Sequence, residues 1–191
     1  ALENLGYDKT YSFVENYLSK NETELLIEFQ NQQVRINKKI EFGGFGKGYV
    51  LDKLKSILID NGYRNFLLNA GGDICAYGIG PNKEGWKIVL EDPLSENNVI
   101  GEIVTTDLFV AASSSKKRKW KNHHHLIGKD WLPVNTDIEI CFVQSDTGIA
   151  SDAMATAIFV GSQIPTYVDA LCILKDRKVV KTEGFNCSLY K

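Results

Sequence analysis

The segment SDAMATAIFVG, Ser151 to Gly161, holds the residues whose type and spacing speak most directly of chemistry. On a helix, Asp152 and Thr156 stand at i and i+4, so a carboxylate and a hydroxyl project from one face while Met154, Ile158 and Phe159 turn to a core. Two hard oxygens on one face suit magnesium, which takes few protein ligands and keeps phosphate and water in its other positions. The competing account is purely structural, with a capping aspartate and a buried threonine bonding back to its own helix. Ser151 is the expected N-cap of this helix, and Gly161 its stop.

Two glycine-rich stretches stand far ahead of that helix. GGFGKGY, Gly43 to Tyr49, lacks the Walker spacing, because Gly48 follows Lys47 where a serine or threonine would reach magnesium. Its glycines nonetheless let backbone N–H groups approach an anion, and Lys47 adds a point charge at a helix N-terminus. A tight strand-to-helix turn with a solvated lysine would look the same. NAGGDI, Asn69 to Ile74, follows an apolar strand; Gly71 and Gly72 would clear space for a ligand, and Asp73 could accept from a ribose, a flavin edge or a backbone N–H. Taken by itself, the stretch reads more readily as a plain β-turn or bulge with a capping aspartate.

SSSKKRKWKNHHHLIG gathers the hydroxyls of Ser113, Ser114 and Ser115, the cations Lys116, Lys117, Arg118 and Lys119, and the imidazoles of His123, His124 and His125. Hydroxyls and cations can grip a diphosphate, and a histidine can take the proton of an attacking alcohol. Consecutive histidines in an extended segment alternate faces, so the three do not make one zinc site. A wet, charged loop is the structural alternative.

The elements that must carry these residues read as short strands at ELLIEF and QQVRIN, with KKIEF leading into the first glycine stretch. A helix runs from Tyr49, with Val50, Leu51, Leu54, Ile57 and Leu58 at helical spacing, to a stop at Asn61-Gly62. RNFLLNA, WKIVLED, NVIGEIV, DLFVAAS and IEICFVQ are strands set between turn-rich segments, and ALCILKDRKVVKTEGF is a terminal hairpin turning at Asp176-Arg177. The class is α+β, or mixed α/β, in a single domain spanning 1–191.

Composition bounds the partners. The chain has 191 residues, 43% hydrophobic, enough for a sizeable core, and its 22 Lys+Arg against 24 Asp+Glu leave a net charge of −2. No general basic field draws it to nucleic acid, which points to a small molecule or a protein as partner. Cys75, Cys141, Cys172 and Cys187 form no CxxC pair and read as core thiols. No apolar run approaches the roughly 20 residues that span a bilayer. The chain opens at Ala1 in LENLGYDKTYSF without an initiator Met or a basic, apolar leader, so a cut or processed chain is expected.

Taken in order, GGFGKGY, NAGGDI, VAASSSKKRKW, HHHLIG and SDAMATAIFVG resemble the successive motifs of the ApbE-type flavin transferases, the FAD:protein FMN transferases. The resemblance implies a mostly antiparallel sheet with packed helices. It also implies a magnesium-dependent enzyme that splits the diphosphate of FAD, transfers FMN to a threonine or serine of an acceptor protein and releases AMP. By the same resemblance, magnesium would be held by the main-chain oxygen of Gly46 and by Asp152 and Thr156. Gly44, Lys47, Asn69, Gly71, Gly72, Asp73 and Ser113 would line the flavin or its phosphates. His125, which aligns with the histidine before the family's IIDP motif, would be the base for the acceptor hydroxyl, and with Asp152 would be catalytic. Members of the family commonly work at the outer face of the cytoplasmic membrane, so the cell envelope is the expected location.

The chain departs from the family pattern in four places. About forty residues precede the first glycine stretch where relatives carry more, so part of the FAD pocket is expected to be missing or supplied differently. Gly128 replaces the aspartate after the two apolar residues, with Asp130 two positions later, removing a carboxylate that would orient the base. Glu41 stands where aspartate is usual, and Ala112 where threonine is common. Two further readings stay open: an FAD pyrophosphatase that uses water as acceptor and yields FMN and AMP, and a catalytically impaired homologue that binds FAD or another nucleotide.

Overall fold

In the computed structural model, which describes residues 25–37, 40–95, 97–116, 118–120, 123–128 and 132–190, strands dominate and two helices lie among them. The sequence predicts one domain; the chain divides into two compact units, Ala1–Gly43 and Gly44–Lys191. In the first unit, β1 (Ile27–Gln30) and β2 (Gln33–Ile36) pair antiparallel, Gln30 opposite Gln33, around a turn in which Asn31 and Gln32 both have positive φ. Of the predicted strand KKIEF, residues 38 and 39 lie outside the described residues and 40–42 have no regular structure.

The second unit opens with α1 (Gly46–Asp60), followed by β3 (Phe66–Ala70), β4 (Asp73–Tyr77), β5 (Trp86–Glu91), β6 (Val99–Thr105) and β7 (Asp107–Ser114). The short β8 (Lys119–Trp120) and β9 (His123–His124) pair with each other. Then come β10 (Ile138–Ser145), α2 (Gly148–Phe159), β11 (Asp169–Leu174), β12 (Val179–Lys181) and β13 (Ser188–Leu189). Six strands form the main sheet in the order β12-β11-β10-β7-β4-β3, every neighbouring pair antiparallel, and β13-β6-β5 form a second sheet. The expected mixed α/β class with an antiparallel sheet is the one observed.

The alternation along β10 shows why both faces of the main sheet are covered. Ile140 and Phe142 point to a core shared with Ile88, Leu90 and Ile103 of the second sheet, while Cys141 and Val143 point to a core shared with Ala155 and Ile158 of α2. A continuous apolar run, ICFV, is what a strand buried on both faces requires. The helices thus lie on one face and the small sheet on the other, and Asp152 and Thr156 belong to the helical side.

Both helices begin earlier than the sequence implies. Gly46, Lys47 and Gly48, expected in a loop, form the first turn of α1. Predicted to start at Ser151, α2 starts at Gly148, with Thr147 extended (φ −130, ψ 142) as its N-cap and the Thr147 hydroxyl accepting the Ala150 N–H at 3.3 Å. Ser151, one turn in, instead donates its hydroxyl to the Gly148 carbonyl at 3.0 Å.

Candidate functional site

The site is assembled where α1 and α2 cross. A Cβ added to Gly48 would stand 2.0 Å from the Gly148 carbonyl oxygen, and one added to Gly148 would stand 2.4 Å from that of Gly48. Only two glycines permit backbones this close. Asp52, one turn further along α1, reaches across the same crossing: its Oδ1 accepts the Gly148 N–H at 2.7 Å and its Oδ2 the Ile149 N–H at 2.9 Å. A carboxylate on two otherwise orphaned N–H groups at a helix start is favoured by both hydrogen bonding and the helix dipole. The sequence reading missed Asp52, since nothing local distinguishes it from any exposed helical aspartate.

With the helices fixed, Asp152 comes to lie against the first turn of α1. Gly48 donates its N–H to Asp152 Oδ2 at 2.9 Å, and Lys47 Nζ donates to Asp152 Oδ1 at 3.3 Å. The same ammonium also binds Asp73 Oδ2, from the start of β4. Asp73 and Asp152 are only 3% and 4% exposed, whereas the Lys47 side chain is 35% exposed, so the cation bridges two buried carboxylates and remains open to solvent. Burial raises the Asp73 carboxyl above its ordinary value, with Lys47 pulling it down and the Asp152 charge pushing it further up. Thr156 Oγ1, one turn beyond Asp152, lies 3.0 Å from Ser113 Oγ at the end of β7, and a Cβ on Gly44 would meet the Thr156 methyl at 3.9 Å.

Two contact sets therefore form among the predicted residues, Lys47 with Asp73 and Asp152, and Ser113 with Thr156; α2 carries one member of each, one turn apart, with Gly44 beside Thr156 and Gly46 adjoining Lys47 at the start of α1. Asn69, Gly71 and Gly72 serve the turn that places Asp73. Ala70 pairs with Asp73 across a two-residue connection in which Gly71 and Gly72 both have positive φ (69° and 105°), and Asn69 Oδ1 accepts the Gly72 N–H at 2.8 Å. Such a turn demands glycine, and space is open around both.

The donor types suit a hard divalent cation: a carboxylate and a hydroxyl stand one turn apart on α2, and the carboxylate lies against the first turn of α1. The charge also fits, because two buried carboxylates already draw a cation between them. Among the described residues no three His, Cys, Asp or Glu side chains cluster to hold a metal, so hydroxyl and main-chain oxygens would have to complete the set.

The histidines divide by role. His124 is structural, its Nδ1 accepting the Leu126 N–H at 3.2 Å and its Nε2 lying 3.1 Å from the Val134 carbonyl, a pair of bonds that only the Nε2-protonated tautomer makes. His125 is different: its Nδ1 is buried and has no hydrogen-bond partner. Burial, then the Arg118 charge, with a smaller contribution from Lys47, lower its pKa to about 4, so the ring is neutral at neutral pH. Gly128, standing where a carboxylate was expected, donates its N–H to the Leu132 carbonyl at 2.8 Å, and Ile127 and Pro133 form an antiparallel bridge. Asp130 and Lys117 lie outside the described residues. A hollow of about 380 Å³ beside His124 is lined by Ser115, Lys116, Lys119, Thr136 and Lys175 among others, and not by Asp73 or Asp152.

Among the described residues no helix is long and apolar enough to cross a membrane. The model of the ApbE family matches residues 4–171. The FAD:protein FMN transferase of Treponema pallidum (strain Nichols) is 24% identical, the match covering 80% of this chain and 48% of that protein. The FAD:protein FMN transferase of Buchnera aphidicola is 25% identical, with 89% and 54% covered. The chain thus spans about half the length of the curated relatives it matches. The solved ApbE protein of Thermotoga maritima superposes with a TM-score of 0.82 at 23% identity, over 96% of this chain and 68% of that one. The flavin transferase ApbE of Vibrio cholerae gives 0.73 at 19%, over 83% and 56%. At such identities the solved structures establish a common fold.

Proposed function

The chain belongs to the ApbE family, and from that premise we propose that it acts as a magnesium-dependent FAD:protein FMN transferase. The observation that carries the proposal is the meeting of three distant segments at Lys47, whose ammonium joins Asp73 to Asp152 beside Thr156 and Ser113. Cationic and hydroxyl groups gathered around buried carboxylates suit a dinucleotide diphosphate better than an apolar ligand.

In the proposed reaction the oxygen of an acceptor threonine or serine forms a bond to the FMN-side phosphorus, the bond from that phosphorus to the bridging oxygen breaks, and AMP leaves. His125, neutral at neutral pH, takes the hydroxyl proton. Lys47, reachable from solvent, offers its charge to the phosphoryl oxygens. Gly44 and the open turn at Gly71 and Gly72 leave room for the substrate, while Ser113 holds the Thr156 hydroxyl in place. Magnesium, when bound, would be held by Asp152, Thr156 and the Gly46 main-chain oxygen and would supply Lewis-acid polarisation of the phosphoryl group. The proposed place of action is the outer face of the cytoplasmic membrane, on the strength of the family resemblance; fractionation of the producing cells tests it.

Two observations favour a second reading, a flavin-binding homologue without turnover: His125 Nδ1 is left without a partner, and Gly128 stands where an orienting carboxylate was expected. Incubation with FAD, magnesium and a candidate acceptor separates the readings. Acceptor mass increased by one FMN, with AMP released, supports transfer. Free FMN and AMP with an unchanged acceptor indicate hydrolysis, and FAD binding without AMP indicates a binder.

A further inference from the structure

Among the described residues outside the site, Cys141 and Cys172 stand close enough to react with each other. They are directly opposed in the β10–β11 register, and their sulfurs lie 3.1 Å apart although the residues are 31 positions apart in the chain. Both are free thiols in this structure and both are buried, Cys141 fully and Cys172 with 5% exposed. Directly opposed residues of an antiparallel pair have Cα separations of about 4.5 or about 5.5 Å according to their hydrogen-bonding class. Either value lies inside the range of roughly 4.4–6.8 Å that a disulfide spans, so the backbone need not move for a bond to form.

We propose that Cys141 and Cys172 are the site of a cross-strand disulfide, made by exchange with a low-molecular-weight disulfide. The more accessible Cys172 thiolate attacks one sulfur of the oxidant and releases one thiolate. Cys141 then attacks the Cys172 sulfur of the mixed disulfide and releases the second. The protein loses two hydrogens, the oxidant is reduced to two thiols, and the protons of the cysteines end on the released thiolates. The neighbouring Cys172 thiol and burial hold Cys141 well above the ordinary thiol range, which agrees with Cys172 reacting first.

The position gives the bond a consequence for the helical face. Ser113, Cys141 and Cys172 are successive partners across β7, β10 and β11 and therefore share one face of the sheet. Ser113 bonds Thr156, and both cysteines pack in the cluster that contains Ala155 and Ile158 of α2. The disulfide would tie β10 to β11 beneath the helix that carries Asp152 and Thr156. Cys75 belongs to a different cluster and Cys187 packs on the opposite core, so neither competes for the bond.

The whole chain is equilibrated with reduced and oxidised glutathione over a range of ratios, quenched in acid, alkylated in denaturant and read by intact mass and a non-reducing peptide map. Expected at oxidising ratios is a species with two alkyl groups in place of four, a linked peptide pair containing Cys141 and Cys172, and alkylated Cys75 and Cys187. The thermal midpoint of the oxidised chain should exceed that of the reduced chain by several degrees, and Cys172→Ala should abolish both the link and the redox dependence. If that variant does not fold, the peptide map of the unaltered chain decides alone. Four alkylated cysteines at every ratio, a glutathione adduct on Cys172 that Cys141 never displaces, or a link involving Cys75 or Cys187 overturns the proposal.

Discussion

The backbone N–H of Gly48 donates to Oδ2 of Asp152 at 2.9 Å, joining positions 104 residues apart in the chain. That bond exists because glycine at 48 and at 148 lets the two helices touch backbone to backbone. Lys47, Asp52 and Asp152 all meet at this crossing.

Gly48→Ala should therefore damage both stability and activity. The new methyl would stand 2.0 Å from the Gly148 carbonyl oxygen and 2.8 Å from Asp152 Cβ, so the helices must part. Overpacking of this kind costs about 1–3 kcal/mol. Urea unfolding should show a lower midpoint and FMN transfer should fall with it; a wild-type midpoint would mean the crossing is looser than described.

Asp52→Ala removes two hydrogen bonds to the start of α2 and should cost about 1–2 kcal/mol, the usual range for a lost helix cap. Asp52→Asn keeps one acceptor oxygen and should fall between. Equilibrium unfolding of the three proteins gives the order directly.

Asp152→Ala should abolish magnesium-dependent transfer while leaving the chain folded, as judged by circular dichroism. Lys47 keeps Asp73 as partner in that variant, so the bridge is only half lost. Retained dependence on magnesium would remove Asp152 from the metal assignment.

His125→Gln should slow transfer by roughly a hundredfold or more, the usual contribution of a positioned base. In the unaltered protein the acid limb of turnover should lie near pH 4, where the buried ring takes its proton, and not near the ordinary 6.5. A limb near 6.5 would assign the proton to another group.

Stability carries a second signature of the same ring. Between pH 6.5 and about 4 the unfolded chain binds a proton at His125 that the folded protein refuses. The contribution of the neutral ring is therefore complete above about 6.5 and lost progressively as pH falls to about 4. Unfolding midpoints measured across this window should decline in the unaltered protein and decline less in His125→Gln.

Much was legible in the sequence because its cause is local. The i, i+4 spacing of Asp152 and Thr156 sets both on one helix face whatever surrounds it, and the apolar run ICFV marks a strand buried on both sides. Gly71-Gly72 marks a turn, and the hairpin turning at Asp176-Arg177 shows the positive φ at Arg177 that such a turn needs. The helix starts were less legible. Gly46 and Gly48 are poor helix formers read one at a time, and Thr147 competes with Ser151 as a cap on equal chemical terms.

What the sequence alone determined is the inventory: a carboxylate and a hydroxyl one turn apart, glycines where a backbone bends or is approached, a lysine at a helix start, and an imidazole without its usual carboxylate neighbour. Only the tertiary structure decided that Lys47 bridges Asp73 to Asp152, that Ser113 meets Thr156, and that Asp52 seats the helix bearing both metal candidates. Helical periodicity and turn chemistry act within a few residues, so a sequence window contains them. These contacts join segments from 26 to 105 positions apart, and they form only when the packing of two helices against one sheet brings the segments together.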